Sequence, residues 1–297
     1  MVVVVLVVGL LLKIGMGNMF RKKPYPEVFF DGELRAVAQA IKDKNAAEIT
    51  RLGSQLENID QPGNNNATLL FFAVNDENPV AIKALMALGA DPSINIPEMG
   101  TIGYHAMWRN SMEPLKALLD SGMDPNLYDG EDTLLFNTPE LSQNDALKLL
   151  IEAGADVNAR DSLGSTPLLH ILSVSFDEAL YLLEQEADGY VMDEGGLSVA
   201  YSVQDELDFM DKNSEAYQKM LKIQQKLVEQ GVKFPALSPW GERFHKGIVF
   251  CQEPNGYMPK AECKLEGVNE FVMEQPEHLK RRDEQILKER FGIDHQF

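Results

Sequence analysis

Asp161-Ser-Leu-Gly164-Ser-Thr166-Pro167-Leu168-Leu-His170 follows directly on Leu149-Leu150-Ile-Glu-Ala-Gly154-Ala155-Asp156-Val157-Asn158-Ala159 and Arg160. The first string reads as a turn and the start of a helix. Thr166 supplies a capping hydroxyl, and Pro167 at the first helical position gives up no hydrogen bond. The second string reads as a helix end, where Gly154 can take the left-handed conformation that a C-cap requires. A short helical unit cannot bury its apolar face alone, so one copy predicts neighbours at a fixed period.

The neighbours are present. Thr68, Thr101, Thr133 and Thr166 recur at intervals of 33, 32 and 33 residues, and Ser198 follows 32 further on. Gly89, Gly122 and Gly154 recur at 33 and 32, with Glu186 in the next slot. Ordinary helical packing explains leucine pairs such as Leu118-Leu119, Leu149-Leu150 and Leu182-Leu183, but not a double recurrence in phase. The D-x-x-G-x-T-P-L-H and L-L-x-x-G-A-D-V-N-A strings resemble an ankyrin repeat. The resemblance implies an all-α ankyrin-repeat solenoid: stacked helix-turn-helix units with β-hairpin fingers, and here a small non-repeat C-terminal extension.

The period divides the chain of 297 residues into three parts. Residues 1–23 form a hydrophobic segment with a basic flank. Residues 30–234 hold the repeats. Within them, residues 31–56 form an N-terminal capping unit with an apolar stripe (Leu34, Val37, Ala38, Ile41) and a second helix capped by Asn45. About four repeats follow, then an irregular fifth unit. The interval from Glu186 to Gly231 is 45 residues, which predicts an insertion of about a dozen residues at Asp205 to Asn213. Residues 235–297 form a capping extension with turn signals at Pro254-Asn255-Gly256, a short strand at Ile248 to Cys251, and an amphipathic helix over Glu277 to Phe291. Gly103 and Pro139 depart from the repeat pattern, and Pro139 should shorten or bend the first helix of its unit.

Composition narrows the function. Net charge is −19, from 46 acidic and 27 basic side chains, which argues against a nucleic-acid binder. The chain carries no G-x-S-x-G, P-loop, G-x-G-x-x-G or H-E-x-x-H motif. Its five histidines pair with no nucleophile at a catalytic spacing. Cys251 and Cys263 lack zinc-ligand spacing; a disulfide and two free thiols both fit. We expect no enzyme, no cofactor and no metal.

Recognition of another protein remains. The resemblance places binding on the groove formed by first helices and hairpin tips. Counting from Thr101 puts Tyr104, His105, Trp108 and Arg109 there, with Trp and Arg the types that dominate interface hot spots. The same count from Thr68 gives Asn75 and Asp76. The tips contribute Asn64, Asn65, Glu98, Tyr128, Asp129, Glu131 and, further on, Arg160.

The N-terminal run Val2 to Leu12 is aliphatic, is interrupted by Lys13, and ends in Arg21-Lys22-Lys23. Its length fits a signal h-region better than a membrane span, but a basic start and a cleavage site are missing. A signal anchor, a signal with a misplaced start, and a soluble form beginning at Met16 or Met19 all remain open. We expect association with the inner membrane, on either the cytoplasmic or the periplasmic side, with the soluble cytosolic form as the alternative. The overall plan is similar to that of bacterial ankyrin-type immunity proteins paired with type VI secretion lipase effectors. That likeness implies a toxin inhibitor; the alternative is a membrane-anchored scaffold organising a protein complex.

Overall fold

The computed structural model describes residues 25–140, 145–246, 250–253, 256–259 and 276–297. The hydrophobic segment 1–23 and Cys263 lie outside the described residues. No helix among the described residues is long and apolar enough to cross a membrane. The chain forms two compact units, the first ending at Asp156 and the second beginning at Val157.

In the first unit α1 (Pro26–Phe29) precedes the capping pair α2 (Gly32–Lys42) and α3 (Ala46–Gly53). The Asn45 side chain caps α3 by accepting from Glu48 N at 3.1 Å. The α2 stripe is buried at Val37, Ala38 and Ile41. Two complete helix pairs follow: α4 (Leu69–Asn75) with α5 (Pro79–Ala87), and α6 (Ile102–Met107) with α7 (Glu113–Asp120). First helices pack on first helices and second on second, which gives two layers. The fingers between pairs are short antiparallel hairpins, β1 (Asn95–Ile96) with β2 (Gly100–Thr101) and β3 (Tyr128–Asp129) with β4 (Asp132–Thr133).

The periodic threonines are helix caps. Thr68 accepts from Phe71 N, Thr101 from Tyr104 N, Thr166 from Leu169 N and Ser198 from Tyr201 N, at 3.1, 3.1, 3.5 and 3.1 Å. The periodic glycines carry positive φ, +88° at Gly89, +92° at Gly122 and +100° at Gly154. After each, the next N–H returns to the second helix: Ala90 to Leu85 O, Met123 to Leu118 O and Ala155 to Leu150 O.

The third repeat breaks the rule at its first helix. Leu134–Glu140 is a 3-10 turn, not an α-helix, and α8 (Asp145–Glu152) supplies the second helix. Pro139 has no N–H to offer the carbonyl of Leu135, four residues back. The Thr138 hydroxyl donates to that carbonyl instead, at 2.8 Å. The Thr133 hydroxyl is buried and caps nothing among the described residues. Gly103 also has a local reason. A Cβ there would stand 2.6 Å from Leu127 Cδ2 and 3.0 Å from Met123 Sδ, so the space usually filled by a side chain at this position is filled from the next finger.

The second unit contains α9 (Pro167–Ile171), α10 (Phe176–Glu184), α11 (Val199–Phe209) and α12 (Glu215–Glu229). Asp161 organises the opening turn. It accepts from Leu163 N and Ser165 N at 2.9 and 2.7 Å and meets His170 Nε2 at 2.9 Å. The expected insertion at Asp205 to Asn213 does not form a separate loop. The extra residues lengthen both helices: α11 spans 11 residues against 5 in α9, and α12 spans 15 against 9 in α10.

Beyond Gly231, α13 (Pro239–Lys246), a hairpin of β5 (Phe250–Glu253) with β6 (Gly256–Pro259), and α14 (Glu277–Ile286), continued by a π-type turn at Leu287–Phe291, complete the described residues. Ser238 caps α13 by accepting from Gly241 N at 3.2 Å, the same device as the repeat threonines. α13 is thus the first helix of a further, incomplete repeat. α14 lies on it through the fully buried Asp283, which accepts from Ser238 N at 2.9 Å and from the Ser238 hydroxyl. Arg282 stacks over the Tyr201 ring and pairs with Asp208 at 3.5 Å, so the lengthened α11 is the surface that receives α14.

Candidate protein-binding face

The first unit exposes one face built from hairpin tips and the ends of first helices. Asn64, Asn65, Glu98 and Glu131 are exposed at the tips, and Tyr128 is 57% exposed. Asn65 and Glu98 sit at φ +56° and +64°, left-handed positions that hold the tips in tight turns. Asp129 is half-buried and committed to the fold, since its Oδ1 accepts from Thr101 N in the preceding finger at 2.6 Å.

The other part of the face lies where α6 ends. Its last turn tightens, with Trp108 N donating to His105 O and Arg109 N to Ala106 O. Trp108 and Arg109 leave the helix there, both half-buried. The Trp108 ring meets Tyr104 edge-on, centroids 5.9 Å apart. The Arg109 Nη1 donates to Asn75 Oδ1 at 2.5 Å, across one repeat. Beside it, Asn110 donates from its backbone and its side chain to Glu77 Oε1 at 3.1 and 3.0 Å. The repeat spacing makes Asn75 the equivalent of Trp108 and Asp76 that of Arg109, so the bond from Arg109 to Asn75 runs between non-equivalent positions and was not legible in either residue alone.

His105 does not face the groove. It is 4% exposed, and its ring lies on Phe71 with centroids 4.8 Å apart. Burial, with Arg109 as a lesser cause, pushes its pKa down to about 3. Burial also lowers the Arg109 pKa against the opposing pull of Glu77. Asn75 Nδ2, His105 Nε2 and Arg109 Nε are all buried without a hydrogen-bond partner among the described residues. Arg109 stands within ion-pair distance of no carboxylate among them. Such buried polar atoms carry a desolvation cost of about 1–3 kcal/mol each. The cluster therefore combines an aromatic pair, a guanidinium with unspent donor capacity and a neutral imidazole.

In the second unit Arg160 is exposed and donates from Nη1 to Gly164 O at 2.6 Å, bracing its own turn. Asn78 was not apparent from the sequence as important. It is fully buried, donates to Ile41 O at 2.7 Å and caps α5 by accepting from Ala81 N at 3.1 Å. Its position before Pro79 was the available signal. No group of three or more His, Cys, Asp or Glu capable of holding a metal occurs among the described residues.

Capped helix pairs, Gly-terminated second helices and hairpin fingers at a 32–33-residue period define the ankyrin-repeat fold. Comparison with solved structures gives the same fold. The chain is similar to an ankyrin-repeat protein, EF0377 (TM-score 0.50, 20% identity, 64% of this chain and 96% of the other). It is similar to the ankyrin-repeat domain of Bcl-3, a member of the IκB family (0.51, 25%, 67% and 86%), and to an ankyrin-repeat domain from Acinetobacter baumannii AYE (0.51, 22%, 66% and 98%). In sequence it is 30% identical to Protein PhlB of Serratia liquefaciens over 142 residues, 47% of this chain and 62% of that protein. It is 34% identical over 121 residues to the human SH3 and multiple ankyrin repeat domains protein 2, 39% of this chain and 6% of that protein. The chain thus spans less than two thirds of the length of these curated relatives. No protein-family model matches it. The fold is one that serves protein–protein interaction.

Proposed function

We propose that the chain is an immunity protein that binds and neutralises a secreted antibacterial effector of the lipase type. The binding surface in this reading is the face of the first unit formed by Tyr104, Trp108, Arg109 and the tips Asn64, Asn65, Glu98, Tyr128 and Glu131. The observation that carries the binding face is the Tyr104–Trp108–Arg109 cluster. It holds the residue types that anchor interfaces, half-buried at a helix end, and the Arg109 Nε has no hydrogen-bond partner among the described residues. An acceptor from the partner, such as a carboxylate or a backbone carbonyl, would satisfy Arg109 and release its desolvation cost. The sequence plan of an apolar segment ahead of the ankyrin-type repeats supports the immunity role. Inhibition would then follow from steric cover of the effector's substrate entry.

The test is survival of cells that express a lipase-type effector encoded beside this chain's gene, with and without the chain. Rescue supports the role; equal survival overturns it. Residues 2–20 would direct one form to the inner membrane, and a start at Met16 or Met19 would yield the soluble form.

A further inference from the structure

The incomplete repeat at α13 lacks its finger. In the earlier units eleven or twelve residues separate the residue ending one second helix from the hydroxyl that caps the next first helix: Gly89 to Thr101, Gly122 to Thr133, Gly154 to Thr166 and Glu186 to Ser198. From Gly231 to Ser238 the separation is seven. The missing residues are those that would build the hairpin. Where it would stand, the second unit has a cavity of about 480 Å3. That volume lies in the range of small-molecule sites, about 300–1,000 Å3.

The lining of the cavity runs against the charge of the chain. Net charge overall is −19. Yet Lys233, His245, Lys246 and Arg290 converge on the cavity, with Glu242 as the carboxyl among them. Burial raises the Glu242 pKa and Asp283 adds to the rise, while Lys246, His245 and Arg290 act to lower it, which places these three side chains within electrostatic reach of one point. Arg290 uses Nη2 on Pro235 O at 2.6 Å, which fixes its guanidinium at the rim. Lys233 and Lys246 are exposed and within ion-pair distance of no carboxylate among the described residues. His245 lies against Phe291 with ring centroids 4.0 Å apart, and the buried Leu237 adds to an apolar wall. Cationic groups around a partly apolar hollow are a receptor for an anion with a carbon skeleton.

We propose that this cavity binds a small organic anion bearing two or more carboxylate or phosphate groups. Its rim lysines close on the charged groups and Phe291 covers the skeleton. The lining residues all belong to the second unit, and the proposal does not depend on the identity of any protein partner.

Calorimetric titration of the full chain at pH 7 and low salt, with citrate and with inorganic phosphate as probes, tests this. We expect one-to-one binding of citrate. Lys246→Gln should weaken it about tenfold, the loss of one charge-assisted contact. Glu242→Gln should tighten it, because it removes the opposing carboxyl; a gain of affinity cannot come from misfolding. Lys83→Gln, at a lysine paired with Asp120 in the first unit, should leave it unchanged. Tighter binding of phosphate than of citrate would assign the site to phosphate groups. Absence of binding by both probes, or binding that Lys233→Gln with Lys246→Gln leaves intact, overturns the proposal.

Discussion

The side-chain oxygen of Asn158 accepts a 2.8 Å hydrogen bond from the backbone N–H of Asp188, thirty residues further along the chain. The same bond joins Asn126 to Asp156 N at 2.8 Å, and Asp60 to Asp91 N at 3.1 Å. Gln230 plays the part for Gly189 N, at 2.8 Å. Where the rung is present it ties one helix end to the next, and it explains why the motif closes on Asn at Asn126 and Asn158 after the capping glycine. We expect Asn158→Ala to lower stability by about 1 kcal/mol, measured by urea unfolding. An unchanged midpoint would remove the ladder from the account.

Glu186 occupies the slot held by glycine in the preceding repeats, and it does so at φ +64°. A side chain in the left-handed region costs about 1 kcal/mol. Ala187 N still reaches Leu182 O, so the cap geometry is already that of glycine. Glu186→Gly should therefore stabilise the chain by about 0.5–1 kcal/mol, against the usual loss from introducing glycine. A lower melting temperature would contradict this.

His105 makes stability pH-dependent. Its folded pKa is about 3 against an ordinary 6.5, because burial disfavours the charged ring. Above pH 6.5 both states are neutral and nothing is lost. Below it the unfolded chain takes up a proton that the folded chain refuses, so stability falls by about 1.4 kcal/mol per pH unit until the folded pKa is reached. His105→Phe keeps the ring contact with Phe71 and removes the titration. Relative to pH 7, it should lose about 2 kcal/mol less than the parent at pH 5. Parallel pH profiles for the two proteins would refute the assignment.

Trp108→Ala and Arg109→Ala separate binding from folding. Trp108 is half-buried on Tyr104, and its loss should weaken partner binding by about 2 kcal/mol or more while the chain stays folded. Arg109→Ala also breaks the bond to Asn75 and should cost stability as well as affinity. Arg109→Lys keeps the charge but not the planar fork, and should restore stability only in part. Full affinity in both alanine variants would move the interface elsewhere.

The period of threonine and glycine was legible because each position answers a backbone need that few residues meet, a cap hydroxyl or a positive φ. The exposed tips were legible for the same reason, since they fall between those fixed points. The inner part of the face was less so. Counting places Tyr104, His105, Trp108 and Arg109 together, but the tightened last turn of α6 decides their directions: His105 turns in to Phe71 and Arg109 reaches back to Asn75. The longer interval before Gly231 showed that residues were added, not where they went. Both helices absorbed them, because helical spacing tolerates whole added turns. α13 escaped notice because its unit is shortened by the missing finger, which moved Ser238 out of phase.

The third repeat has a further consequence, for the kinetics of opening. Its first helix has no hydroxyl cap among the described residues and replaces the bond to Leu135 O with one from a side chain. Each repeat leans only on its immediate neighbours, so a weak unit is not reinforced from afar. The backbone amides of residues 134–138 should exchange with deuterium sooner than those of α6 and α7. A chain of near-identical modules thereby acquires a position at which unravelling begins, set by one proline.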